Sequence, residues 1–153
     1  MTDFLSSDLY SIDEKGRLSF PAKILKMLPT KTKRRFTVLR AWDGQPCLRI
    51  YTEEGWKAVA NQIKSRVNPF VEKEQMFMRV IFGRAIELEL DGAMRLSIPR
   101  ALLDLAGIEK QTLLVGVSDH IELWNPEQYH KVHQQIIDNI SAIAQEVMGG
   151  SRA

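Results

Sequence analysis

YSIDEKGRLSFPAKILKML, at residues 10–28, returns as LELDGAMRLSIPRALLDLA at residues 88–106, an offset of 78 residues. Self-similarity at a fixed period reports the architecture of a chain before its chemistry. The duplication therefore predicts two related halves, each with a polar loop between short apolar stretches. Both copies keep the skeleton Asp-x-x-x-Arg-Leu-Ser-x-Pro, whose charged residues are Asp13 and Arg17 in the first copy and Asp91 and Arg95 in the second.

Each copy predicts two short strands around a tight turn, followed by a short helix. Gly16 is able to supply the positive φ of the first turn, and Pro21 suits the first position of a helix. In the second copy the helix is predicted at residues 99–106, with Gly107 as its C-cap. The predicted strands lie at residues 8–12, 17–20, 85–90 and 95–98.

Downstream of the first copy the sequence predicts a hairpin and a longer helix. Strands at residues 36–41 and 47–51 are joined through Asp43-Gly44, a dipeptide typical of hairpin turns. Thr52 is suited to cap a helix that runs to residue 66. A further helix at residues 69–82, started by Asn68-Pro69, is predicted to link the two halves.

The second half repeats this order and ends in a longer helix. Strands are predicted at residues 112–117 and 121–124, around a turn at Ser118-Asp119. Asn125 begins an Asn-x-x-Gln helix start, and the helix is expected to continue to Val147. Its length suggests that part of its apolar stripe packs against another subunit. The stripe is spaced by three or four residues and comprises Tyr129, Val132, Ile136, Ile140, Ile143 and Val147.

The two halves are assigned to residues 1–82 and residues 83–153. Neither half contains enough apolar surface to fold comfortably alone, so the two are expected to share one core. A pseudo-two-fold axis between them follows from the repeated plan. The residues alone thus predict an α+β protein with a mixed β core and flanking helices.

Charge is distributed unevenly between these halves. Residues 1–82 contain 15 Lys and Arg against 9 Asp and Glu, whereas residues 83–153 contain 6 against 10. A net charge of only +2 therefore combines a basic half with an acidic half. Such asymmetry favours a polyanionic partner on one side of the molecule.

Several classes of protein are disfavoured by what the sequence lacks. No apolar run approaches the roughly 20 residues that span a bilayer. The first residues, with Asp3 and Asp8, lack the basic-then-apolar order of a signal peptide, so a cytoplasmic protein is expected. Cys47 is the only cysteine and is interpreted as a small buried hydrophobe. His130 and His133 lie three apart without a third ligand, so they predict no metal site. Motifs of nucleophilic or phosphate-binding enzymes are absent, so we expect neither an enzyme nor a cofactor.

The Asp-x-x-x-Arg pairs allow two interpretations. In one, each is an ion pair that closes a tight loop, although exposed pairs contribute only about 0–1 kcal/mol. In the other, Asp13 and Asp91 hold the loops through the backbone while Arg17 and Arg95 project toward phosphates or guanine edges. The candidate DNA-binding residues also include Gly16 and the cations Lys15, Lys31, Lys33, Arg34 and Arg35.

IDEKGRLSFP and LDGAMRLSIP resemble the two boxes of the MraZ family of bacterial regulators, within the AbrB/SpoVT swapped-hairpin class. The segments QPCLRIYTEEGW and HIELWNPEQY are also similar to that family. The resemblance implies an internally duplicated swapped-hairpin, double-split β-barrel with pseudo-two-fold symmetry. It also implies a cytoplasmic, nucleoid-associated transcription factor, in which the DNA-binding arginine corresponds to Arg17, with Lys15 beside it.

The partner implied by the resemblance is double-stranded DNA carrying tandem repeats upstream of the protein's own operon, the division and cell wall gene cluster. Homo-oligomeric rings and repression of transcription are implied as well. Linked weak sites gain affinity through effective concentration, which suits a ring on repeats. The rival interpretation is a protein–protein adaptor with only incidental affinity for nucleic acid.

One position departs from the family pattern, which favours glycine directly before the arginine of both boxes. This chain has Gly16 but Met94. Because a methionine resists positive φ, the second turn is expected to adopt another shape. A DNA-binding role for Arg95 is therefore open, and the first loop is expected to be the one that meets DNA.

Overall fold

The computed structural model describes residues 2–29 and 34–149 of the chain. Lys31 and Lys33 lie outside the described residues. In the described part of the chain no helix is both long and apolar enough to cross a bilayer. The elements in order are β1 (Ser7–Ser11), β2 (Arg17–Ser19), α1 (Ala22–Met27), β3 (Arg35–Arg40), β4 (Cys47–Thr52), α2 (Glu53–Arg66), α3 (Glu72–Arg84), β5 (Ile86–Glu89), β6 (Arg95–Ser97), α4 (Arg100–Leu105), β7 (Gln111–Val117), β8 (His120–Trp124), α5 (Pro126–Asp138) and α6 (Ile140–Met148).

The strands form an antiparallel sheet of six, in the order β1-β7-β8-β4-β3-β5, and a separate two-stranded ribbon of β2 and β6. This confirms an α+β protein. Among the described residues the sheet is open, because its edge strands β1 and β5 do not pair with each other and β2 and β6 form a ribbon of their own. The closed double-split β-barrel that the resemblance implied is therefore not found there. β1 of the first half pairs with β7 of the second, and β5 of the second pairs with β3 of the first. Both edge strands are therefore exchanged between the halves.

Local signals account for the main turns and helix starts. Thr52 Oγ1 accepts the Gly55 N–H at 3.0 Å, and Asn125 Oδ1 accepts the Gln128 N–H at 3.1 Å. Gly44 and Gly107 have φ of +87° and +66°. The first value matches the predicted hairpin turn, and the second matches a helix end, because glycine reaches positive φ without steric cost. The C-cap itself is Ala106, one residue before the predicted Gly107.

The predicted helix at residues 69–82 begins late, at Glu72. Asn68 forms a turn before the helix, because its Oδ1 accepts the Phe70 N–H at 2.9 Å. Its own N–H donates to Glu74 Oε1 at 3.0 Å. Asn68 therefore stabilises the approach to α3 and is not its N-cap, and the prediction was wrong by three residues.

The predicted continuous helix to Val147 is also wrong, because Asn139 separates α5 from α6. Asn139 has φ −119° and ψ 26°, and its Nδ2 donates to the Gln135 carbonyl at 2.8 Å. An asparagine side chain that bonds to the backbone in this way competes with the helical ladder. No residue of α5 or α6 is fully buried.

The main core lies between the sheet and the ribbon and draws on both halves. Leu18 and Leu96 from the ribbon are fully buried in it, as are Ile24 of α1 and Leu103 of α4. The outer face of the sheet carries two smaller apolar clusters. One lies under α2 and α3, and the other surrounds Trp124 beneath α5.

Candidate nucleic-acid interface

The ribbon of β2 and β6 determines where the two polar loops lie. Its register pairs Arg17 with Ser97, Leu18 with Leu96, and Ser19 with Arg95. Because side chains alternate along a strand, the leucines face the core, and both arginines and both serines share the opposite face. Arg17 and Arg95 are diagonal neighbours on that face, a relation that separates positions by about 7–8 Å.

The first loop, residues 13–17, is held by its aspartate. Asp13 Oδ1 accepts the backbone N–H groups of Lys15 at 2.9 Å and Arg17 at 2.8 Å, while its Oδ2 accepts from Arg17 Nε at 2.6 Å. Gly16 has φ +77°, and a Cβ there would lie 2.6 Å from the Ile98 carbonyl oxygen. The first loop is therefore closed both by its own carboxylate and by contact with the second half.

The second loop, residues 91–95, repeats this arrangement. Asp91 Oδ1 accepts the N–H groups of Ala93 at 2.8 Å and Arg95 at 2.9 Å, and its Oδ2 accepts from Arg95 Nε at 2.9 Å. Met94 has φ +60°, so the expectation of a different turn shape was wrong. The Met94 carbonyl accepts the Phe20 N–H at 2.9 Å, and its side chain packs against the main core. These contacts hold a methionine in the conformation that glycine adopts in the first loop.

Both aspartates are held in the charged form. The backbone N–H of Arg17 is the largest influence that lowers the pKa of Asp13 below its ordinary 3.8. The backbone N–H of Arg95 does the same for the pKa of Asp91. Burial opposes the shift in each loop but does not outweigh the hydrogen bonds. Ionised acceptors of this kind make the stronger class of hydrogen bond.

Each arginine remains partly available to a ligand. The side chains of Arg17 and Arg95 are 27% and 35% exposed. Within residues 2–29 and 34–149, each guanidinium uses only its Nε in a hydrogen bond to protein. The two Nη groups of a guanidinium carry four more donors in a planar fork that matches phosphate or guanine. Both interpretations of the pair are thus compatible, because the ion pair that closes the loop also orients the arginine.

The remaining predicted site residues lie around these loops. Lys15, Arg34 and Arg35 are exposed. The Arg34 carbonyl accepts the Leu90 N–H at 2.8 Å, directly before Asp91. The strand exchange thus brings Arg34 from the basic half to the second loop, although sequence order had grouped it with Lys15 and the first.

Sequence analysis missed Ser19 and Ser97 as part of this face. Both serines stand two residues before a proline that begins a helix, where a hydroxyl suits capping or turn bonding. The N-cap positions of α1 and α4 are nevertheless Pro21 and Pro99, without side-chain cap bonds. Both serines are exposed on the ribbon. Their alternation with Leu18 and Leu96 was the available signal, and the pairing of the two strands was the missing information.

A second polar cluster lies on the outer face of the sheet, where Arg49 of β4 is paired with Glu122 of β8. Arg49 Nη2 donates to Asp43 at 2.6 Å, and its Nε donates to Glu122 at 3.3 Å. Burial acts to lower the pKa of His120, but hydrogen bonds with Glu122 and Asp119 outweigh it and raise the pKa above 6.5. These partners satisfy one another and connect the two halves.

Two other candidate residues have ordinary structural environments. Cys47 is fully buried, and burial raises the pKa of its thiol to about 12, which confirms the interpretation as a small core residue. His133 contacts the Tyr129 carbonyl on α5. Among the described residues no three His, Cys, Asp or Glu side chains cluster as metal ligands.

Comparison with known proteins identifies the relatives of the chain. The sequence model of a family described as "MraZ protein, putative antitoxin-like" matches residues 81–149. A protein of Treponema denticola named "Transcriptional regulator MraZ" is 34% identical over 88% of this chain and 90% of its own length. Proteins of the same name from Lactiplantibacillus plantarum and Pelotomaculum thermopropionicum are 33% and 32% identical. They cover 91% and 95% of this chain, and 94% and 95% of their own lengths.

Proposed function

This chain belongs to the MraZ family, whose curated members are named transcriptional regulators, and from this premise we propose that it binds specific DNA sequences. The observation that best supports this proposal is that Arg17 and Arg95 lie on one face of the ribbon. Each arginine is oriented there by the aspartate of its own loop. Arginine forks read guanine edges in the major groove. The proposed role is regulatory rather than catalytic.

Contacts to DNA divide into those that specify and those that position. We assign base recognition to the two arginines, within loops held by Asp13 and Asp91. Phosphate contacts are assigned to the surrounding cations, which supply affinity without sequence information. These cations are Lys15, Lys31, Lys33, Arg34 and Arg35.

The proposed target is a set of tandem repeats upstream of the protein's own operon, the division and cell wall gene cluster, where binding represses transcription. A single ribbon offers a small footprint, so useful affinity requires several linked copies. The proposed assembly is therefore a homo-oligomeric ring, associated with the nucleoid in the cytoplasm. Rings arise when head-to-tail contacts close.

Exposed apolar side chains on two separate surfaces support such contacts. On α3, Met76, Phe77 and Val80 are 51%, 40% and 45% exposed. Beyond the sheet, Ile136 of α5 and Ile140 of α6 are 47% and 58% exposed. Large exposed apolar surfaces mark interaction sites. We propose that the α3 surface of one copy meets the α5–α6 surface of the next.

The fold proposed for this function is an internal duplication of the swapped-hairpin class, with halves at residues 1–82 and 83–153 that form one shared core. Its support is the strand order, which reads the same from either edge when each strand is replaced by its counterpart in the other half. In this proposal the pairs β1–β7 and β5–β3, each formed between the two halves, correspond to the swapped elements.

The test measures binding to duplexes from the upstream region and to scrambled duplexes, over a range of salt concentrations. Arg17→Ala is expected to cost about 1–3 kcal/mol on the repeat and to reduce discrimination, whereas Lys15→Ala is expected to reduce the salt slope by about 1. Lys57→Ala, an exposed cation on α2, is the control and should retain wild-type behaviour. Equal binding of repeat and scrambled duplexes by the wild type would favour the adaptor function instead.

A further inference from the structure

The exchanged strands bring one cation from each half beside the loop of the other. Leu90 donates its N–H to the Arg34 carbonyl at 2.8 Å, and Asp91 follows directly. In the same way, Ile12 donates its N–H to the Lys110 carbonyl at 2.8 Å, and Asp13 follows directly. Arg34 and Lys110 occupy corresponding places, because each immediately precedes the strand, β3 or β7, that pairs with the exchanged edge.

Lys110 lies in an acidic half, where sequence order gives no reason to connect it with DNA. Its side chain is exposed, and it lines one surface recess with Asp13 and Glu14 of the first loop. Arg100 and Glu109 line the same recess. Arg100 Nη1 donates to the carbonyls of Ile108 and Glu109 at 3.4 and 3.5 Å. Of the two cations in this recess, Lys110 is the one whose side chain makes no such bond within the part of the chain that the structure describes.

Cations from both halves lie beside the first loop. Lys15 belongs to that loop, while Lys110 and Arg100 of the second half line the recess with Glu14 and Glu109. Beside the second loop, Arg34 of the first half precedes Arg35, which pairs with Glu89. The acidic half thus contributes cations to the first loop, and the basic half contributes them to the second.

We propose that Lys110 is a phosphate-binding residue of the first loop, and that Arg34 has the corresponding role at the second loop. Each loop then reads bases with its own arginine while a cation from the other half holds the adjacent phosphate. A lysine suits this role because its ammonium is a compact charge on a flexible stem. The inference rests on the proposed DNA-binding function and adds to it the location of each contact.

The first test uses the salt dependence of DNA binding by the intact chain. Lys110→Gln is expected to reduce the slope of log affinity against log salt by about 1, with repeat preference retained. Lys131→Gln is the matched control, since it removes an exposed lysine from α5 in the same half. Both variants are compared at equal assembly size. An unchanged slope for Lys110→Gln would overturn its assignment.

The second test locates the contacts with duplexes in which single phosphates are replaced by neutral methylphosphonates. One methylphosphonate should weaken binding by the wild type but not by Lys110→Gln. The phosphate replaced there should lie next to the base pairs read by Arg17. For Arg34→Gln it should lie next to those read by Arg95. The pairs Lys110–Arg17 and Arg34–Arg95 should be non-additive by about 2-fold or more, and the crossed pairs additive.

The possible results distinguish a failure of this inference from a failure of the proposed DNA-binding function. If Lys110→Gln couples to Arg95 and not to Arg17, the exchange of cations is wrong while the DNA-binding function stands. If neither Lys110 nor Arg34 alters the salt slope, but Arg17→Ala still loses repeat preference, the inference again fails alone. If the wild-type protein does not distinguish repeat from scrambled DNA, the proposed function itself fails.

Discussion

The two polar loops differ at every position between their aspartate and arginine, yet they fold alike. The first contains Glu14-Lys15-Gly16 and the second Gly92-Ala93-Met94. Each aspartate nevertheless accepts the same two backbone N–H groups and the same arginine Nε, at distances of 2.6–2.9 Å. The residue before arginine has φ of +77° in one loop and +60° in the other. The conformation is therefore determined by the aspartate and the neighbouring strand rather than by glycine.

The largest expected effects test whether the ribbon supports both loops equally. Leu18→Ala and Leu96→Ala each remove a fully buried side chain, and each should lower the free energy of unfolding by about 2–5 kcal/mol. Urea denaturation at matched protein concentration measures this. Leu9→Ala, at a side chain that is 55% exposed, should change stability by less than about 0.5 kcal/mol. A large difference between the two leucine variants would show that the two copies do not contribute equally to stability.

Gly16→Ala should show how much stability is lost when a side chain is placed at the positive-φ position of the first loop. The second loop already has a side chain there, that of Met94. A Cβ at Gly16 would lie 2.6 Å from the Ile98 carbonyl oxygen, in a residue with φ +77°. We expect a loss of about 2–3 kcal/mol in the free energy of unfolding, from backbone strain and overpacking together. Gly92→Ala is the control, because a Cβ there has no atom within 4 Å among the contacts described. Wild-type stability of Gly16→Ala would contradict the close contact between the halves.

Substitution of the two arginines compares the contributions of the two loops to DNA binding. If the proposed function holds, Arg17→Ala and Arg95→Ala should each cost about 1–3 kcal/mol of affinity for the proposed repeat, because the two arginines share one face and one geometry. Fluorescence anisotropy at constant salt and equal assembly size measures both losses. If Arg17→Ala alone weakens binding, the loops share a shape but not a function, as the sequence had first suggested.

Acid titration should produce the smallest effect. A carboxylate with a lowered pKa in the folded protein stabilises the fold above its ordinary pKa of 3.8, and this contribution disappears as the pH falls through the lowered value. Asp13→Asn and Asp91→Asn should therefore each weaken the loss of stability in acid below pH 3.8. Urea midpoints measured against pH test this. An effect at Asp13 without one at Asp91 would break the equivalence of the loops.

The sequence predicted the features that depend on short-range chemistry. Thr52 and Asn125 cap their helices, and Gly107 ends one, because each acts on backbone groups within a few residues. Asn139 illustrates the limit of such signals. Its apolar neighbours keep helical spacing, but its side-chain amide bonds to the Gln135 carbonyl, and a hydrophobic pattern does not report that competition.

Sequence analysis could not predict the features that depend on the pairing of distant strands. Met94 was expected to resist positive φ on intrinsic preference, which amounts to about 1–2 kcal/mol. The Phe20 N–H and the Asp91 carboxylate outweigh that preference. The place of Lys110 beside Asp13 likewise follows from pairing between distant segments, which periodicity in one sequence does not reveal.

The pair of Arg49 and Glu122 has a consequence for the ancestry of such a chain. These residues correspond at an offset of 73 and face each other where the two halves meet. A dimer of two separate first halves in this register would oppose two arginines, and a dimer of second halves two glutamates. Like charges directly across a ladder are destabilising. The fused chain avoids this repulsion because its two halves carry opposite charges at the axis, an arrangement that a homodimer of either half cannot reproduce.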